Sequence, residues 1–67
     1  MIYIFRYENE SGDKYRELFE DAPDPRTARE ELKSVYGPEI ENQLKAEGYC
    51  RCSVYSPSKR LEDAFCI

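Results

Sequence analysis

Histidine is absent from this 67-residue chain, and imidazole chemistry is excluded with it. A serine or cysteine nucleophile has no ordinary base to activate it. Three thiols with no imidazole do not complete a four-ligand structural zinc site. The three glycines stand apart at Gly12, Gly37 and Gly48, so no glycine-rich loop is available to cradle a phosphate. Three cysteines are an odd number and make no disulfide framework. No apolar run approaches the roughly 18–20 residues of a membrane span. The N-terminus opens as the strand-like Met1-Ile2-Tyr3-Ile4-Phe5, without the basic stretch and small-residue cleavage site of a signal peptide. The expectation is a cytoplasmic protein with reduced thiols, no metal and no cofactor.

Basic residues are also in short supply. Ten Lys and Arg face fourteen Asp and Glu, for a formal charge of −4 and a pI near 4.8. Residues 1–24 hold seven of the acids and three of the bases, so the whole excess lies in the first third of the chain. That balance disfavours nonspecific attachment to a phosphate backbone, which calls for a basic patch. Adjacent carboxylates such as Glu20-Asp21 and Glu30-Glu31 read as solvated surface, because a small domain cannot desolvate them enough to move their pKa. A chain of this length forms one domain, residues 1–67, near the lower limit for folding without staples. It buries too little to build a deep pocket, and no enzyme activity is expected.

What the chain does have is aromatic alternation. In residues 2–7, Ile2, Ile4 and Arg6 fall on one side of a strand and Tyr3, Phe5 and Tyr7 on the other. A polar, glycine-containing stretch follows at hairpin length. Residues 14–20 form the return strand, with Tyr15, Glu17 and Phe19 opposite Arg16 and Leu18. Asp24-Pro25 signals a helix start, as a capping side chain followed by proline at the first helical position. Ala28, Leu32, Val35 and Tyr36 recur as one apolar stripe, and Gly37 ends it. Pro38 opens a second short helix over 38–47, with Ile40 and Leu44 inward, an ion pair between Glu41 and Lys45, and a stop at Gly48. Residues 49–56 form a third strand. Residues 59–67 predict a short fourth strand, with a helix through Leu61 and Phe65 as the alternative.

The order ββα(α)β(β) implies an α+β fold, in which one or two short helices pack on one face of a small antiparallel sheet of three or four strands. Small aliphatic residues suit a sheet beneath helices, so the expected core is Ile2, Ile4, Leu18, Cys50, Cys52 and Val54 against Leu32, Val35, Ile40 and Leu44. A one-residue shift in the face assignment exchanges the two sets. Cys50 and Cys52 would then act as small hydrophobes.

Strand one is apolar on both sides, whereas helices cover only one. The second face is expected to meet a partner, a second subunit or the chain's own tail. On this assignment it presents Tyr3, Phe5, Tyr7, Tyr15, Phe19, Tyr49, Arg51 and Tyr55, and tyrosine favours protein contacts through its large area and water-tolerant hydroxyl. Beside it lie the carboxylates Glu8, Glu10, Asp13, Glu20, Asp21 and Asp24, placed to meet a basic surface. In length, charge and lack of motifs the chain is similar in type to small phage or mobile-element accessory proteins, including inhibitors of CRISPR or restriction complexes. The expected function is therefore an acidic, non-enzymatic protein-interaction module that occupies a nucleic-acid-binding surface of a defence complex. The alternatives are a homodimer pairing through its aromatic face and, third, an open-sheet binder of single-stranded RNA. Arg6, Arg16 and Arg51 are the only arginines within the first three strands, which weighs against a nucleic-acid partner.

Overall fold

Clean alternation with β-branched and aromatic residues produces strand β1, Ile2–Glu8, in a computed structural model that describes every residue from Met1 to Ile67. β2, Tyr15–Asp21, returns antiparallel beside it, and two helices follow, α1 at Pro25–Tyr36 and α2 at Ile40–Ala46. β3, Arg51–Tyr55, pairs with the free side of β1, and β4, Leu61–Cys66, closes the order β2-β1-β3-β4. This is the expected α+β architecture with a fourth strand, every pairing antiparallel. The β2-to-β3 connection passes over β1 and carries both helices to one side of the sheet.

The helices start and stop where local chemistry directs. The Asp24 carboxylate accepts the Thr27 backbone N–H at 2.8 Å, and Pro25 occupies the first turn. Gly37 takes φ 103°, a conformation open to glycine, and breaks the helical run. α2 begins two residues later than the sequence suggests, because Pro38 and Glu39 form a turn.

The expected face assignment is overturned in β1. Tyr3, Phe5 and Tyr7 lie beneath the helices, with Phe5 and Tyr7 at 0% exposure, while Ile2 and Ile4 face away. The reason is charge. The Ile2–Ile4 side of β1 continues into Arg6 and Glu8, whereas the Tyr3–Phe5–Tyr7 side carries no ionisable head at neutral pH. Burying an arginine and a glutamate against helices costs far more than burying tyrosine. Register agrees: Phe5 is paired with Leu18 on β2 and Val54 on β3, and all three are buried. Leu18, Cys52, Val54, Leu32, Ile40 and Leu44 are core as expected, joined by Ala22, Ala28 and Tyr49, with Phe65 and Ile67 packed at the margin.

Three smaller expectations also fail. Cys50 precedes β3 and is only half-buried. Val35 and Tyr36, on the last turn of α1, are exposed, since a stripe gives a direction but nothing lies beneath that turn. Glu41 pairs with Arg29 and Lys33 of α1 rather than with Lys45. The resulting accessible surface, 4355 Å², is close to the ~4400 Å² that area–mass scaling gives for a folded monomer of this mass. The chain thus buries its own surface to an ordinary extent while leaving one sheet face uncovered.

Because Phe5 fills the centre of the core, Phe5→Ala should cost about 3–5 kcal/mol, on the order of the entire stability of so small a domain. Ile4→Ala, on the opposite side of the same strand, should cost about 1 kcal/mol. Urea unfolding of the two variants checks the assignment, and the reverse ranking would overturn it.

Candidate interaction surface

Because both helices lie on one side, the other side of the sheet is a face without a layer. Register arranges it in rows. Ile4 of β1 is paired with Phe19 of β2 and Tyr55 of β3, and Tyr55 is paired with Leu61 of β4. One apolar row, Phe19–Ile4–Tyr55–Leu61, therefore crosses all four strands, about 14 Å from end to end at the usual strand spacing. Phe19 is 53% exposed and Leu61 56%, and Ile2, at 54%, extends the patch beyond the row. A β-bulge between Val54 and Tyr55 brings Leu61 into line by skipping Glu62.

The next two rows are polar. Arg6 lies between Glu17 and Ser53, and Glu8 lies between Tyr15 and Arg51. Arg6 Nε donates to Glu8 at 3.0 Å, its Nη1 sits 3.7 Å from Glu17, and its guanidinium stacks 3.8 Å from the centre of the Tyr15 ring. Arg51 reaches Glu8 at 3.4 Å and the Glu10 carbonyl at 3.1 Å. The face is thus divided into an apolar half and an internally neutralised half. Both edges carry charge, Arg16 and Glu17 on β2 and Glu62 and Asp63 on β4, which discourages strand addition.

The sequence-derived site is only partly reassembled. Tyr15, Arg51 and Tyr55 do lie on the open face. Tyr3, Tyr7 and Tyr49 do not: all three are buried on the helix side, and Tyr49 is further covered by the Lys14 ammonium, 4.7 Å from its ring. Of the acidic set, Glu8 is paired as above and Asp21 accepts from the Met1 amino group at 2.9 Å. Asp24 caps α1, and Asp13 accepts from Asn9 and Ser11 inside the hairpin turn. Glu10 and Glu20 alone keep side chains without an ion pair or hydrogen bond. Phe19, assigned to this face from sequence, lies on it, and the residues that reasoning from sequence missed are Ile2, Ile4 and Leu61. The signal for the first two was present in the charges of Arg6 and Glu8, which share their side of β1.

Behind the sheet, the titratable groups have structural partners. Arg29 on α1 donates to both oxygens of Glu41 on α2, at 2.8 and 3.0 Å, and its guanidinium stacks 3.7 Å from the Phe65 ring centre. One side chain thereby joins two helices and the last strand. The hydrogen bonds from Arg29 hold the Glu41 carboxyl below its ordinary value. The Thr27 backbone N–H does the same for Asp24, and Asn9, then Ser11, for Asp13. Burial pushes the Cys52 thiol up to about 12, so it is inert at neutral pH. The Tyr7 hydroxyl beside it is buried without a hydrogen-bond partner, and its pKa is likewise raised by burial. No three His, Cys, Asp or Glu side chains converge in a ligating group, and no helix is long and apolar enough to cross a membrane. No protein-family model matches the sequence, and no curated protein or solved structure is significantly similar to it.

Two outcomes follow. Glu41, Asp24 and Asp13 each have a lower pKa folded than unfolded, so their stabilisation is complete above the ordinary carboxylate range and is lost as pH falls from there through the lowered folded values. Thermal unfolding should therefore be nearly constant from pH 7 to ~5 and decline below pH ~4, with a shallower decline in Glu41→Gln. Among the thiols, exposed Cys66 should react with a maleimide first and buried Cys52 only on unfolding. Mass spectrometry of partially labelled protein gives the order, and early labelling of Cys52 would contradict its burial.

Tyr7→Phe removes a buried hydroxyl that bonds to nothing. It should leave stability unchanged or raise it by up to about 1 kcal/mol, and a loss above that in urea unfolding would mean that the hydroxyl has a partner.

Proposed function

We propose that the protein is a non-enzymatic interaction module that binds another protein through the uncovered face of its sheet. The observation that supports this most directly is the cross-strand row Phe19–Ile4–Tyr55–Leu61, exposed at both ends and adjoining Ile2. Monomeric domains seldom leave a contiguous apolar patch of that kind without a use for it. Charge on both sheet edges directs contact to the face rather than to strand addition.

A second reading, a homodimer pairing face to face, is favoured by area. The molecule measures 29 × 24 × 14 Å, so the broad face offers about 700 Å², near the ~800 Å² each partner contributes to a standard interface. Docking of the acidic N-terminal third on a basic surface, as an inhibitor of a nucleic-acid-handling defence complex would require, draws on the net charge of −4. Four of its six candidate carboxylates already have partners within the chain, so we give the apolar face precedence. A single-stranded RNA partner would find Tyr15 and Tyr55 for stacking but Arg6 and Arg51 already neutralised.

The test is a pair of substitutions on the row. Phe19→Ser with Leu61→Ser should change folding stability by no more than ~1 kcal/mol, because both side chains are exposed. The double variant should lose a protein that the natural sequence retains from lysate of its source cell. Light scattering across concentration assigns the homodimer: a dimer that the double variant dissociates selects it, whereas a 7.9 kDa monomer rejects it. If retention is unchanged in the double variant, the face is not the contact surface.

A further inference from the structure

Beside the apolar row the open face dips into a groove of about 310 Å³ lined by Ile4, Arg6, Glu17, Tyr55 and Lys59. Two of its three charges cancel, since Arg6 is paired with Glu17 and with Glu8. Lys59 is different. Its ammonium makes no ion pair and no hydrogen bond, in a protein with an excess of acid, and neither does the side chain of Arg60 next to it. The groove therefore has an apolar wall of Ile4 and Tyr55 and one uncompensated positive charge.

The backbone that holds Lys59 is independently unusual. Its φ is 65°, the one non-glycine residue of the chain in the left-handed region, where side chains are strained. The turn over-determines that conformation. Lys59 N–H donates to the Ser56 carbonyl at 2.8 Å, Arg60 N–H to the Ser56 hydroxyl at 3.2 Å, and Ser56 N–H to the Arg60 carbonyl at 2.9 Å. The Ser56 and Ser58 hydroxyls bond each other at 2.9 Å. Glycine or asparagine would hold this turn at lower cost. Strained backbone positions cluster at ligand clamps and other functional sites, and this one carries an unpaired charge beside a groove.

We propose that the groove receives an acidic-apolar segment of the partner protein: an apolar side chain against Ile4 and Tyr55, with an adjacent carboxylate on the Lys59 ammonium. This rests on the open face being a protein-contact surface, and it assigns the partner a local charge opposite to that expected from the net charge of the chain. A basic segment would meet Lys59 unfavourably at the same place.

Three probes of one shape and different charge test it on ¹⁵N-labelled protein: phenylacetate, benzyl alcohol and benzylamine, with amide shifts followed at Ile4, Tyr55 and Lys59. Phenylacetate should bind about two- to five-fold more tightly than benzyl alcohol, the range for an exposed ion pair, and benzylamine more weakly than either. Lys59→Gly, which suits the left-handed backbone, should abolish the advantage of phenylacetate and leave benzyl alcohol unchanged, while Lys59→Arg should retain it. Equal affinity for the three probes along the Phe19–Ile4–Tyr55–Leu61 row would overturn the acidic segment and leave the apolar contact face standing. Silence from all three along that row would overturn both.

Discussion

Phe5 has Leu18 on one side and Val54 on the other, and these three side chains in register are the contact on which the remaining architecture depends. They lock β1 between two antiparallel neighbours in the phase that turns Tyr3 and Tyr7 inward with Phe5. A slip of one residue would place Arg6 and Glu8 under the helices, and the cost of desolvating both charges forbids it. Everything exposed on the other face is a consequence of that choice. Ile2 and Ile4 are left in solvent because the alternative is worse, and Phe19 and Tyr55 join them because they are paired with Ile4.

The helices are held to the sheet by a second, narrower device. Ala28 and Leu32 of α1 and Ile40 and Leu44 of α2 supply apolar contact, which has no direction of its own. Arg29 adds direction: its fork meets both oxygens of Glu41 and its plane lies on Phe65, fixing α1 relative to α2 and β4 together. Lys14 does similar work at the other end, donating to the Glu47 carbonyl just past α2 and covering the Tyr49 ring. Both bridges leave from the covered side, so neither consumes the open face.

How much of this was legible from sequence depended on the range of the information required. Element order was legible because its signals are local: Asp24-Pro25 begins a helix, Gly37 and Gly48 end helices, and a polar glycine-containing loop returns a strand. The fourth strand could be read for the same reason. The identity of the core face was legible only by weighing charge above alternation. Alternation treats Ile2–Ile4 and Tyr3–Phe5–Tyr7 as equivalent; Arg6 and Glu8 on the Ile2–Ile4 side break the tie, and partners at 18 and 54 then hold the phase. The partners of the acidic residues were a different matter, since counting charges says nothing about whether Asp13 is tied into a turn, Asp24 into a cap or Glu8 to two arginines. The strained Lys59 left no trace in composition at all.

The position of β1 also sets the order in which the protein can assemble. It is an interior strand, yet it precedes both neighbours along the chain. One neighbour, β2, follows after a short loop, while the other, β3, arrives only after both helices. On the ribosome the β1–β2 hairpin is therefore complete while Tyr3, Phe5 and Tyr7 still have no roof and one side of β1 is unpaired. A two-stranded hairpin is marginal alone in water. Closure waits for the distant pairing with Val54, a loop-closing step of the kind that slows folding. For the interval in between, the most aromatic strand of the protein is its least protected, and the speed with which residues 51–55 reach it governs how long the nascent chain is open to misassociation.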